Sequence, residues 1–175
     1  EIKALPAYDF AVLFTAADLQ KGIYDKVKHL DISILVNNAV YAEAKPFEEL
    51  SLSQVHQMMA YNCYTVTLLT KLFLENFKAR WAAKKIRSLI VNTSAGASIA
   101  PMPYLQMFSA TKIFCNYLTE GLGFELAEFG IDVMGIKSFG LQPEDKEETR
   151  LLDSKTRLIP RESLYKQLMG VTATQ

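Results

Sequence analysis

Cysteine is scarce: Cys63 and Cys115 are the only two in 175 residues, both in apolar stretches and without a CxxC spacing. They read as reduced, buried thiols of an intracellular protein rather than as a disulfide framework, and no metal site is expected. Charge of one sign is also lacking, since 19 basic residues balance 19 acidic ones. Without a positive field there is no electrostatic footprint for nucleic acid. No run of about eighteen apolar residues occurs, so no membrane-spanning helix is expected within these residues. No basic-then-apolar leader opens the chain. It starts at Glu1 rather than Met, so a processed chain or part of a longer protein is expected. What is present, 50% hydrophobic, 11% aromatic and 22% charged residues, suits one globular domain over residues 1–175.

Periodicity supplies the elements. The run FAVLFT at 10–15 is apolar, aromatic and β-branched and predicts a buried strand. Leu19, Ile23 and Val27 then recur at helical spacing behind Asp18. ISILVNNA at 32–39 is a continuous apolar run ending in two Asn, the pattern of a strand covered on both faces in a parallel sheet. Residues 47–80 are helical in character, with Ser51 or Ser53 as cap and Val55, Met58, Asn62, Val66, Leu69, Phe73 and Phe77 at three- and four-residue steps. A strand near 87–93 leads into the small-residue segment NTSAG, and Pro101 and Pro103 precede a second long helix over about 104–128. Gly130 stops that helix, 131–137 is a further strand, and the tail from Ser138 reads as loop with one or two short helices. Strand and helix alternate, which predicts an α/β fold with a parallel sheet.

Ligands of such sheets bind beyond the carboxyl ends of the strands. Those ends are Asp18, Asn37-Asn38-Ala39, Asn92 through Gly96, and Ser138-Phe139-Gly140. In their order these pieces resemble the short-chain dehydrogenase/reductase family across residues 10–170. Asp18-Leu19 is similar to the pair that contacts adenine, although Asp18 reads equally well as a helix N-cap. Asn37-Asn38-Ala39-Val40 resembles the family's NNAG, with Val in place of Gly. Asn62 matches the Asn that organises a proton-relay water, or simply bonds backbone. NTSAG at 92–96 is similar to NISSG, and FSATK at 108–112 to the YSATK of the catalytic helix. The proline-spaced PMPYLQMFSATK looks closest to the branch of 3-oxoacyl-CoA reductases and 17-beta-hydroxysteroid dehydrogenases.

The resemblance implies a Rossmann-like doubly wound parallel sheet that binds NADP or NAD. Asp18, Leu19, Asn38, Ala39 and Lys112 would touch the cofactor, and Asn62 and Lys112 would serve catalysis. It also exposes departures. The Tyr position holds Phe108, which has no proton to give, and the Ser position, about thirteen residues earlier, holds Ala95. On an extended segment Ser94 points to the other side. Tyr104, one helical turn before Phe108, does not restore the pair with Lys112. Only Gly22 precedes Gly96, so the glycine-rich phosphate turn is absent, and with it the first two strands; the last strand is also missing. The strand at 10–15 would then be cut off from the next by a two-strand gap, which another segment or polypeptide must fill. The loop at Ser138–Pro143 lacks the family's nicotinamide-contacting Thr.

Two functions compete: a reductase-fold protein that has lost the reaction and acts as a structural or regulatory subunit, with cofactor binding retained, and an active NADP(H)-dependent oxidoreductase on long-chain 3-oxoacyl or steroid ketones. A homodimer or larger assembly through helices about 50–78 and 104–128 is expected, using Leu68, Leu72, Phe73, Phe114, Tyr117 and Leu118 unless that stripe is core. The resembling branch is associated with the endoplasmic reticulum membrane, with mitochondrial or cytosolic placement open.

Overall fold

The computed structural model describes Leu5, residues 9–12 and residues 15–138. Three parallel strands, β1 (Ile34–Asn37), β2 (Ser88–Ala95) and β3 (Ile131–Ser138), lie in the order β1-β2-β3. The register sets Ile34 beside Leu89 and Asn37 beside Asn92, then Ser88 beside Ile131 and Ala95 beside Ser138. The strands therefore end together, and their polar carboxyl ends form one rim.

Helices supply the crossovers that parallel strands require. A first helical segment comprises α1 (Ala16–Leu19), a wide π-helical turn (Gln20–Tyr24) and α2 (Asp25–Val27). The long helix between β1 and β2 comprises α3 (Leu52–Met59), a second π-helical turn (Ala60–Tyr64) and α4 (Thr65–Lys84). Ser51 caps α3 through a reciprocal pair with Gln54 (3.2 and 3.0 Å), choosing the first of the two candidate serines. Between β2 and β3 runs α5 (Gln106–Leu126).

Alternate residues on a strand face opposite sides. Ile90 and Leu35 face a core shared with Leu19, Leu69, Phe73, Phe77 and Leu126. Phe77 is fully buried, and each such side chain contributes about 1.5–3 kcal/mol. Deeper along the same face runs a polar chain. Asn37 Nδ2 donates to Thr70 (3.2 Å) and to Asn92 Oδ1 (2.8 Å), and Asn92 Nδ2 donates to Thr119 Oγ1 (2.9 Å). These bonds tie both flanking helices to the strand ends. On the other face of β1, Ile34 and Val36 are each 55% exposed.

Several expectations are corrected. Residues 10–12 form a turn, not a strand. The Val12 N–H donates to the Asp9 carbonyl (3.0 Å), and Asp9 Oδ1 accepts from the Ala11 N–H (2.9 Å). Such local bonds outcompete a ladder that has no neighbour among the described residues. Residues 13 and 14 lie outside the described residues. Thr15, not Asp18, is the N-cap of α1; Asp18 is its partner three residues on, accepting from the Thr15 hydroxyl (2.6 Å). The second long helix starts at Gln106, because Tyr104 sits at φ 64° and so stands off the helix. The expected tail, the loop beyond Ser138 and the last-strand region also lie outside the described residues.

Candidate functional site

An open cleft of about 530 Å³ lies over the carboxyl rim. Val36, Asn38 and Val40 line it from β1 and its continuation, Thr93, Ser94 and Ala95 from β2, Ile136 and Ser138 from β3, and Phe108 and Lys112 from α5. Phe108 and Lys112 are one turn apart on one helix face, so both reach the same cleft. Lys112 is 3% exposed; its Nζ donates to the Thr93 carbonyl (3.0 Å) and lies 5.8 Å from the Phe108 ring centre. Burial holds its pKa below the usual lysine value. The Ser94 hydroxyl turns towards α5 and donates to the Lys112 carbonyl (3.2 Å), which leaves the methyl of Ala95 as its neighbour on the cleft.

Asn62 is fully buried within the π-helical turn and is not among the lining residues. Its Oδ1 accepts from the Tyr41 N–H (3.1 Å), while Nδ2 donates to the Tyr41 carbonyl (2.9 Å) and to Thr111 Oγ1 (2.9 Å). It thus pairs with backbone as a strand would and braces the residue next to Lys112. The Thr65 hydroxyl bonds the Ala60 carbonyl across the same wide turn (2.8 Å). Thr111 and Tyr41 are the positioning residues that sequence reasoning missed. A β-branched residue inside a helix was the available signal for Thr111; nothing local marked Tyr41.

Asn38 borders both the cleft and a small neighbouring cavity, which Ala39 lines with Phe10 and Tyr61. Asp18 and Leu19 are not among the lining residues: the Asp18 carboxylate is engaged by Thr15, and Leu19 is 1% exposed in the core. Cys63 and Cys115 are buried free thiols, as expected, and burial pushes Cys63 up to about 11. Among the described residues no helix is long and apolar enough to cross a membrane.

The lining residues fit the nicotinamide–ribose half of a dinucleotide, with the Lys112 amine and the Asn38 amide beside an open cleft of about 530 Å³. The described residues hold no glycine turn for a pyrophosphate, since Gly22 lies inside the first π-helical turn.

Comparison places this geometry. The model of the short chain dehydrogenase family matches residues 6–150. The chain is 29% identical over 130 residues to rat (Rattus norvegicus) 17-beta-hydroxysteroid dehydrogenase type 3, covering 73% of this chain and 41% of that protein. It is 31% identical over 134 residues to the very-long-chain 3-oxoacyl-CoA reductase of Macaca fascicularis, covering 72% and 40%. The chain thus spans about two-fifths of the length of these two relatives. The crystal structure of 3-ketoacyl-(acyl-carrier-protein) reductase from Brucella melitensis complexed with NADH shares the fold at TM-score 0.75, with 22% identity, 97% of this chain and 70% of that one covered. Fold, strand-end cleft and the match over residues 6–150 agree: the chain belongs to the short-chain dehydrogenase family, with a Rossmann-like α/β fold whose parallel sheet is partial here.

Proposed function

We propose that this chain is a reductase-fold protein in which carbonyl reduction is lost or impaired, acting as a structural or regulatory subunit that retains NADP(H) or NAD(H) binding. One observation carries the reading: Phe108 and Ala95, at the family's Tyr and Ser positions, line the cleft that holds Lys112, and neither has a hydroxyl. The family's reduction needs a proton for the developing alkoxide and a donor for the carbonyl oxygen. A general acid contributes about 10²–10⁴ in rate and an oxyanion donor about 10²–10³. Losing both leaves little turnover. Binding uses other groups: Lys112 and Asn38 on the cleft and Ala39 beside it, with Asp18 and the backbone of Leu19, whose side chain is core, assigned to the adenine end. When bound, the nicotinamide nucleotide supplies the hydride.

The second reading is an active NADP(H)-dependent reductase of long-chain 3-oxoacyl or steroid ketones, which the names of the two relatives favour. Here Asn62 and Lys112 would relay a proton through water. The test is the double variant Phe108→Tyr with Ala95→Ser in the complete natural protein, after fluorescence titration with NADPH and NADH. The first reading expects saturable nucleotide binding in the wild type and ketone reduction at least about 100-fold faster in the double variant. Wild-type turnover at ordinary enzyme rates sinks it, and absent nucleotide binding removes the cofactor from it.

The assembly belongs to the same proposal. Phe114 (42% exposed) and Tyr117 (71%) stand on the outer side of α5, whereas Phe73, expected in the same stripe, is core. We place the α5 side of a dimer or heteromer there. Tyr117→Glu is expected to shift sedimentation to a smaller species without unfolding; unchanged sedimentation of an oligomeric wild type refutes this contact.

A further inference from the structure

We propose that Lys112 Nζ is a covalent binding site for small apolar aldehydes, held in the strand-end cleft as an imine. Val36, Val40, Ala95, Phe108 and Ile136 form the apolar half of the lining and suit an alkyl or aryl chain, while Asn38, Thr93, Ser94 and Ser138 complete it. No carboxylate is among the lining residues described, and among the described residues Nζ donates to a neutral carbonyl, that of Thr93. A phenyl ring, not a phenol, stands one turn away, so no oxygen at position 108 competes for the amine. The titratable groups that act on Nζ are the thiols of Cys63 and Cys115, both kept protonated by burial. An amine whose charged form burial disfavours, set beside the apolar side of a cleft, is the arrangement in which lysine becomes a nucleophile.

The step balances without an oxidant or reductant. The Nζ lone pair attacks the carbonyl carbon, forming the C–N bond as the π pair moves to oxygen. A proton passes from nitrogen to that oxygen, giving a carbinolamine. The C–O bond then breaks, water leaves, and the imine remains. Thr93 loses one N–H donor in the process, while its carbonyl keeps the Cys115 thiol at 3.9 Å. The Ser138 hydroxyl, which lines the cleft and otherwise donates to the Ser94 carbonyl (3.2 Å), is a candidate to steady the carbinolamine oxygen.

The inference shares the cleft of the proposed function but does not rest on lost reductase activity, and its test contains no nucleotide. The full chain is treated briefly with hexanal and sodium cyanoborohydride near neutral pH, which reduces any imine to a stable alkylamine. Each lysine is then quantified by peptide mass mapping. Accessibility alone ranks Lys112 last, behind Lys28 and Lys84, whose side chains are 53% and 50% exposed. The proposal expects the reverse, with Lys112 modified at least about tenfold faster, because the cleft gathers the alkyl chain beside an amine whose charged form burial disfavours. Ala95→Leu, which fills the cleft and leaves the lysine in the chain, is expected to erase that preference and leave Lys84 unchanged. Unfolding in urea is expected to erase it as well, whether or not the variant folds. Modification of Lys112 at or below the rate of Lys84 in the folded wild type overturns the proposal. So does a preference that survives urea.

Discussion

Lys112 is the residue at which burial and charge meet. A lysine buried beside a single carbonyl acceptor is held below its ordinary pKa by desolvation, with no carboxylate among the lining residues to offset it. The sign of its pH effect follows directly. Between the folded and unfolded pKa values the unfolded chain carries more protons, so stability rises with pH across that window. Removing the amine with Lys112→Met is therefore expected to stabilise the fold by about 1 kcal/mol at pH 7. That advantage shrinks as the pH approaches the unfolded lysine value near 10.4. Urea melts of both proteins at pH 7 and pH 9.5 check this; a difference constant with pH rejects it. The motif FSATK marked the residue in the chain, yet its near-complete burial and its bond to Thr93 depend on a strand nineteen residues away.

Helix ends carry the clearest element-scale consequences. The residue after α4, Lys85, sits at φ 55° in the left-handed region and closes the helix by donating its N–H to the Trp81 carbonyl (3.0 Å). A non-glycine residue there is strained, so Lys85→Gly is expected to stabilise by about 0.5–1 kcal/mol. Its loss of the contact between Lys85 Nζ and the Trp81 ring, at 5.3 Å, offsets only part of that gain. Gly130 is the opposite case. It also has φ 64°, and a Cβ there would stand 2.3 Å from Trp81 Cδ2, so Gly130→Ala is expected to destabilise by about 2–4 kcal/mol. Thermal melts of the two variants should move in opposite directions. The stop at Gly130 was legible because glycine is the usual left-handed cap; the one at Lys85 was not, because lysine is an ordinary helix residue. Asn62 likewise reads as one more step in an apolar series. Only the wide turn around it turns its amide towards the Tyr41 backbone.

At the scale of the whole molecule, β2 is paired on both sides, while β1 and β3 each have a described partner on one side only. The outer residues of β1, Ile34 and Val36, are more than half exposed, an apolar edge of the sort that folded proteins cover. Backbone amide exchange is therefore expected to be slowest in Ile90–Asn92 and faster by at least about tenfold in Ile34–Val36. Equal protection in the two strands would show that β1 is covered on its outer side. Three of the four strands read from the apolar runs are present, because 34–37, 88–95 and 131–138 each find a parallel neighbour. Residues 10–12 are no less apolar, but no strand among the described residues pairs with them, and Asp9 takes up the Ala11 and Val12 amides instead.

By itself the sequence determined the alternation of strand and helix, the family motifs in their order, and the loss of both hydroxyls at positions 95 and 108. All of these are local: a side chain's chemistry and the period of apolar residues do not depend on distant partners. Tertiary structure alone decided that Leu19 is core, that Asn62 braces Thr111, and that Lys112 opens onto an apolar cleft without a counter-charge among its described walls. Burial, pairing and proton affinity are properties of surroundings, and those surroundings come from segments far apart in the chain.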